Sequence, residues 1–508
     1  MSDEAVANLL RSREPLVVIE AAAGCGKTYQ GAAYAKDVGG HLGDGRLLIL
    51  THTHAACSVF AARTKTAGPR VEIKTIDALI SQISLAYHKA LDLPPNIMSW
   101  AWQDGGQGFE IMASKVARFL CLQPMVARAL ARRYPVIVCD EHQDSSLDQH
   151  SVVMSLLTAG AIVRIFGDPM QRIYGAKSDK AAREDRARWD ALKAQGASEK
   201  LITPHRWRDG CPRLGTWIIK ARESMEQGLP IDLKSNLPSS VRVLVGNNQS
   251  QMRAGYQLSK EHRVPIDRVL RNATQLMILA SQNDLVVALR AFWGRSVPIW
   301  EGHTREALVT LVQTLRSEQG NAEALAQGVA SFMNSVAAGF SPSSHGDRLI
   351  QEVRTGAAKP TTGKPANIQA IARYLLNDPT HIGVSVALKK INALIQEIAP
   401  GFDKVKIDYH SEFRDAIRIG QFADPDEGFA EISRIRSYAR PSPPKKVVSS
   451  IHKAKGLECD HVMLMACDKM QFTSTLYAKS KMYVALSRAK KSLTLVVPTS
   501  NLSPLFKL

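Results

Sequence analysis

Short apolar runs punctuate the first half of the chain: LVVIEA (16–21), RLLILTH (46–52), VEIKTI (71–76), PVIVCDE (135–141), AIVRIFGD (161–168) and KLITPH (200–205). Each is short and rich in Val, Ile and Leu, the pattern of a strand buried on both faces. Helix-compatible stretches separate most of them, which predicts a parallel sheet covered by helices on both sides. A second set predicts a second α/β domain of the same kind: VRVLVG (241–246), QLMILAS (275–281), VPIWEG (297–302), VVSSIH (447–452), HVMLMAC (461–467) and SLTLVVP (492–498). Two regions fit neither sheet. Residues 82–133 are Ala-, Leu- and Arg-rich and helical in pattern. Residues 303–444 are also helical, broken by GFSPSSHG, AKPTTGKP and RPSPPKK, clusters that read as loops or linkers. A parallel sheet binds ligands beyond the carboxyl ends of its strands. The polar strings AAAGCGKT, THTH, CDEHQD and GDPMQ sit at those ends.

AAAGCGKT (21–28) follows a predicted strand and precedes helix-compatible sequence. Gly24 and Gly26 let the backbone curl so that its N–H groups point at phosphate oxygens. Lys27 is placed to reach the β- and γ-phosphates and the Thr28 hydroxyl to hold Mg²⁺. Ala21 stands where the usual first glycine of this loop would be, a mild change because the GKT end carries the chemistry. In CDEHQD, Asp140 is placed to bind Mg²⁺, and Glu141 is the candidate base that orients the attacking water. In GDPMQRIYG, Gln171 is placed to sense the γ-phosphate, and Tyr174 to stack on a base.

Charge adds a partner. Lys plus Arg is 65 and Asp plus Glu is 47, for a formal net charge of +18 over 508 residues. The positive residues are spread widely, which predicts a basic surface groove for a polyanion rather than a basic tail. The seven cysteines show neither CxxC nor a Cys/His cluster with metal spacing, so neither zinc nor an iron–sulfur centre is expected. An odd cysteine count, no apolar stretch of bilayer length and an opening segment without an apolar signal core together predict a cytoplasmic protein with no membrane partner.

Taken in order, the motifs resemble those of superfamily one DNA helicases of the UvrD, Rep and PcrA type. LLILTHTHAACSVFAART (47–64) resembles motif Ia, EIKTIDALI (72–80) motif Ib, DEHQD motif II and GDPMQRIYG motif III. LITPHRWRD (201–209) resembles motif IV, SIHKAKGLE (450–458) motif V and YVALSRAKKSLTL (483–495) motif VI. The resemblance implies an α/β fold of two RecA-like P-loop NTPase domains with helical insertions. Domain 1A would span 1–81 and 134–205, with insertion 1B at 82–133. Domain 2A would span 206–302 and 445–508, with insertion 2B at 303–444. It further implies an ATP- and Mg²⁺-dependent 3′-to-5′ helicase or single-strand DNA translocase. ATP would lie against Ala23, Gly24, Cys25, Gly26, Lys27, Thr28 and Tyr29. Trp207 would stack on adenine, and Gly456 and Glu458 would close over the nucleotide. Arg208 and Arg488 would act as arginine fingers. His52, Thr75, Tyr174 and His452 match positions that contact DNA in the family.

The chain also departs from the pattern. No clear glutamine motif precedes the phosphate loop. Ala55 replaces the motif Ia lysine, His52 its phenylalanine, and Ala176 the aromatic beyond motif III. These changes fall on DNA-coupling positions more than on hydrolysis positions. Two settings fit the resemblance: DNA repair, and anti-phage defence of the Gabija type with a separate nuclease partner. An alternative of a different class is a nucleotide-controlled DNA-end sensor that binds tailed DNA and a partner while unwinding little.

Overall fold

The computed structural model describes residues 2–102, 106–174, 178–249, 255–301, 305–438 and 443–508. Ala176 and the expected boundary at 302/303 lie outside the described residues. The chain divides into two compact units, one of residues 1–82, 113–302 and 441–508, the other of residues 83–112 and 303–440.

The first unit holds two large parallel sheets and a short parallel pair, Ile231–Asp232 with Phe506–Lys507. Strands β1 (Leu16–Ala21), β2 (Leu47–Thr51), β3 (Val71–Thr75), β4 (Val136–Cys139), β5 (Ile162–Gly167) and β6 (Ala197–Leu201) form a six-stranded sheet in the order β3-β2-β4-β5-β1-β6. β1 lies between β5 and β6, with Leu16 opposite Val163 and Val17 opposite Ala197. All of β1, β2 and β4 is buried, as their unbroken apolar runs predict. β6 is an edge strand whose Ser198, Glu199 and Lys200 are exposed, and charge at an edge discourages pairing with another chain. The apolar pattern sets this strand at 200–205, but pairing ends at Leu201, before Pro204, which has no N–H to give a ladder.

Strands β7 (Val241–Val245), β8 (Leu276–Ala280), β9 (Lys446–Ser450), β10 (Cys459–Leu464) and β11 (Ala489–Val497) form the second sheet in the order β9-β8-β10-β11-β7. The expected strand at 297–302 is reduced to one bridge, Ile299 to Val448. Pro298 beside it can accept a hydrogen bond from Val448 but cannot donate one.

The first sheet has its own core, with Val17, Ile19, Leu47, Ile49 and Val138, and its loops reach into a second core built around the other sheet. Ala23, Met170 and Ile173 of the first sheet's loops pack with Trp207, Leu279, Val462, Tyr483 and Leu493. A buried polar cluster joins the same elements. Arg222, on the helix Pro212–Glu226, lies 3.0 Å from Glu20 of β1 and 3.0 Å from Asp168 after β5. Lys193 is a further 3.0 Å partner of Glu20. Burial opposes ionisation of Glu20, yet Arg222 and Lys193 together hold its pKa down to about 2.

The second unit is helical, with Glu306–Ser317, Ala322–Val336, Lys364–Asn377, His381–Gln396, His410–Ile419 and Pro425–Tyr438 as its longer elements. Its own core includes Leu311, Phe332, Leu375, Leu388, Phe402 and Phe413, with Trp102 packed edge-on against Phe429. The stretch 82–133 is helical too but is divided, its residues 83–112 lying in this unit and its later residues in the first. Among the described residues no helix is long and apolar enough to cross a membrane.

Candidate nucleotide and nucleic-acid site

β1 ends at Ala21 and the helix Lys27–Gly39 begins after a five-residue loop, Ala22 to Gly26. Gly24 and Gly26 take φ of 71° and 89°, a region in which a side chain is strained. Space adds a second reason. A Cβ on Gly24 would stand 2.7 Å from the Arg206 Cβ, and one on Gly26 would stand 3.2 Å from the His205 ring. The loop is pinned from the second sheet's side. The Ala23 N–H donates to the Tyr483 hydroxyl at 2.8 Å, and the Arg206 N–H donates to the Gly24 carbonyl at 3.0 Å. Thr28 is half-buried at the start of the helix, next to Tyr29, which is 65 % exposed. Cys25 is buried, and burial pushes its thiol up to about 12, so it is a packed, uncharged group.

The Lys27 ammonium is buried and lies 3.0 Å from the Glu141 carboxylate. Burial pulls the lysine pKa down, but Glu141, Asp168 and Asp140 outweigh it and hold it above the usual range. Glu141 follows β4 with φ of 52°, an uncommon conformation for a residue with a side chain. Gln143 steadies it: its Nε2 donates to Glu141 Oε2 at 2.6 Å, while its Oε1 accepts the Asp168 N–H at 2.9 Å. Burial opposes ionisation of Glu141, but Lys27 and then Lys455 keep it anionic. Asp140 is different. Burial and then the Glu141 charge push its carboxyl well above the usual range, and its Oδ1 has no hydrogen-bond partner. A buried, orphaned acceptor close to the phosphate-loop Lys27 suits a hard cation that takes one or two carboxylate-type ligands and completes its shell with phosphate and water. The structure thus fits Mg²⁺ on Asp140 and Thr28. It offers no all-protein cage, since no group of three or more His, Cys, Asp or Glu residues is arranged for a metal among the described residues.

Across the loop stand two guanidinium groups. Arg488 is buried, with Nη2 3.3 Å from Gln171 Oε1 and Nη1 donating to the Leu457 carbonyl at 3.2 Å. Burial, and then the neighbouring Arg206 charge, pull its pKa down to about 10, which leaves it charged at neutral pH. Arg206 reaches Glu458 at 2.5 Å and the Ser487 carbonyl at 2.7 Å, but its buried Nε has no partner. Two like charges thus stand side by side at the phosphate loop, one with an orphaned donor. Gln171 connects the halves, since its Nε2 also donates to Asp168 at 2.9 Å.

On the outer side, Tyr174 is 46 % exposed and its hydroxyl donates to the His452 carbonyl at 2.8 Å. His452 Nε2 is 2.7 Å from the Tyr477 hydroxyl. Lys455 bridges the two sheets, 2.6 Å from Asp144 and 2.7 Å from the Gln171 carbonyl, with its Nζ 4.8 Å from the Tyr174 ring centroid. His52 turns inward, its Nε2 3.1 Å from Ser145 Oγ.

The chain matches the UvrD/REP helicase N-terminal domain over residues 84–181 and the UvrD-like helicase C-terminal domain over residues 446–496. These two matches support a UvrD/Rep-type helicase superfamily for the chain. No curated protein matches it. The parallel sheets flanked by helices are consistent with RecA-type helicase domains, and UvrD-like helicase domains imply an ATP-dependent helicase.

Within this helicase frame, the structure brings Lys27, Thr28, Asp140, Glu141, Gln171, Arg488 and Glu458 around one loop, and Tyr174 and His452 onto one surface. Gly456, between β9 and β10, has φ of 83°, and no atom lies within 4 Å of where its Cβ would be, so conformation alone asks for glycine there. Three expected roles do not survive the geometry. Trp207 is fully buried in the shared core and its Nε1 donates to the Ala489 carbonyl at 2.6 Å, so no face is free for adenine. Arg208 is exposed and pairs with His205 at 2.6 Å, whereas it is Arg206 that packs on Gly24. The pair that meets the phosphate loop is His205 and Arg206, and the tryptophan that suggested an aromatic stacker is a core residue instead. Thr75 is buried, and its hydroxyl caps the next helix by accepting the Ala78 N–H at 3.1 Å. Sequence reasoning also passed over Gln143, Lys455 and Tyr483. All three lie inside quoted motifs, where spacing was the available signal for the first two; nothing in the sequence marks the Tyr483 hydroxyl as a partner of Ala23.

Proposed function

We propose that the chain is a 3′-to-5′ single-strand DNA translocase and helicase powered by ATP at the loop Ala22–Thr28. The observation that carries this reading is the facing of Lys27, Glu141 and the orphaned Asp140 by Arg206 and Arg488 across Gln171. In this reading 1–81 with 134–205 is domain 1A, 206–302 with 445–508 is domain 2A, and 82–133 and 303–444 are insertions 1B and 2B. Lys27 holds the β- and γ-phosphates, leaving Glu141 free to accept the proton of the attacking water. Thr28 and Asp140 would hold Mg²⁺, which would supply positive charge to offset that of the phosphates. Arg206 and Arg488 stabilise charge that grows on the transferring phosphoryl group. Gln171 and Lys455 carry the change toward the surface of Tyr174 and His452, where a single strand stacks and is stepped along. The GDPMQRIYG form of motif III supports the 3′-to-5′ branch.

Strand displacement on 3′-tailed and 5′-tailed duplexes tests this. ATP-dependent displacement of the 3′-tailed duplex alone is expected, and displacement of the 5′-tailed one would reverse the polarity. The inward turn of His52 onto Ser145 favours a second reading, a DNA-end sensor acting in the cytoplasm with a nuclease or repair partner. Strong DNA-stimulated hydrolysis without displacement of either duplex would select it.

A further inference from the structure

Lys481 has no part in the chemistry above, yet its setting is unusual. It lies on the helix Leu476–Leu486 with 7 % of its surface exposed. A buried ammonium is ordinarily paired with a carboxylate or well hydrogen-bonded. Among the described residues Lys481 has neither. Its Nζ has only two rings for company, with centroids 5.4 Å away at Tyr477 and 5.7 Å away at Phe472. Burial draws its ammonium below the usual lysine range, and its charge helps burial to lower His452. The site is therefore short of one negative charge.

The neighbours indicate where that charge comes from. Tyr477 is one turn earlier on the same helix and holds His452 at 2.7 Å, and His452 in turn accepts the Tyr174 hydroxyl through its carbonyl. Tyr174, His452, Tyr477 and Lys481 thus form a continuous row of rings ending in a cation, the composition of a surface that tracks a single strand. The other cation of the row, Lys455, is already neutralised by Asp144. Lys481 is not.

We propose that Lys481, flanked by Tyr477, binds a backbone phosphate of single-stranded DNA and extends the Tyr174–His452 surface by one charged contact. This rests on the DNA reading given above. The competing explanation is that the lysine stem merely covers Phe472.

The test is Lys481→Met in the full chain, which keeps the stem and removes the charge, with Lys481→Arg as the charge-retaining control. Binding to a fluorescent oligothymidylate is measured across a salt series. Lys481→Met is expected to weaken binding about fivefold to tenfold at low salt, and to make the slope of log K against log salt shallower by about 0.7, the value for one phosphate on a single strand. Lys481→Arg should keep the wild-type slope. The melting temperature of Lys481→Met should equal or exceed that of the wild type, because a charge without a counter-charge is removed from a largely buried residue. An unchanged slope with unchanged affinity overturns the proposal, as does a lowered melting temperature with an unchanged slope, which would make the lysine a packing stem. If the wild-type chain itself binds no oligothymidylate, the DNA reading falls as well, a result distinct from loss of the Lys481 contact alone.

Discussion

Replacing Arg206 and Arg208 one at a time separates two registers of the same arginine-rich string. Arg206 packs on Gly24, reaches Glu458 and the Ser487 carbonyl, and keeps a buried Nε unpaired. A guanidinium that stabilises phosphoryl transfer contributes about 10³–10⁵ in rate, or about 4–7 kcal/mol of barrier. Arg488 remains beside it, so Arg206→Ala is expected near the lower end, about a 10³-fold loss in ATP turnover at saturating single-stranded DNA. Arg208 is exposed, and its one described partner is His205. Exposed polar pairs of this kind contribute about 0–1 kcal/mol, so Arg208→Ala should cost less than about fivefold. Steady-state phosphate release gives the rates, and a fluorescent ATP analogue gives the affinities, which should fall far less than turnover. Arg206→Lys keeps the charge but not the fork, and tells a structural loss from a catalytic one: it should melt like the wild type and still turn over slowly. A loss of 10²-fold or more in Arg208→Ala, with Arg206→Ala the milder of the two, would falsify the register drawn from the structure.

Lys27→Ala and Glu141→Gln should each abolish measurable hydrolysis while leaving the circular dichroism spectrum unchanged; normal turnover in either removes the site assignment. Arg222→Met leaves Glu20 and Asp168 buried with fewer counter-charges, and should cost about 3–5 kcal/mol in urea unfolding; a loss under 1 kcal/mol would mean that the cluster adds little. Glu20 titrates near 4.5 when unpaired and about 2 in the fold, a depressed value whose stabilisation is present above pH 4.5 and is lost as pH falls toward 2. That loss is about 3 kcal/mol, and it should shrink in Arg222→Met, as unfolding midpoints at pH 7, 4 and 3 will report. Trp207→Ala should destabilise by about 3–5 kcal/mol, as for a filled core site, whereas a stable variant with weakened ATP affinity would restore its adenine role.

The sequence by itself determined the strands that lie inside the sheets, because a segment covered on both faces must be apolar throughout, and LVVIEA or QLMILAS has few other uses. It also determined the phosphate loop and the acidic pair, since Gly24, Gly26, Lys27, Asp140 and Glu141 act through backbone conformation and local spacing. An edge strand such as β6, half charged and paired on one side, carries a weaker pattern, and its bounds were misplaced accordingly. What only the tertiary structure decided is which side chain crosses from one sheet to the other. In HRWR the four residues lie within one turn, and local pattern cannot say which points at Gly24 and which into the core. Burial of Trp207 against Leu214 and Leu493 settles that orientation and turns Arg206 to the loop. The same holds for Tyr483 on Ala23 and Lys455 on Asp144, contacts between residues hundreds of positions apart, which exist only once the two sheets have packed together.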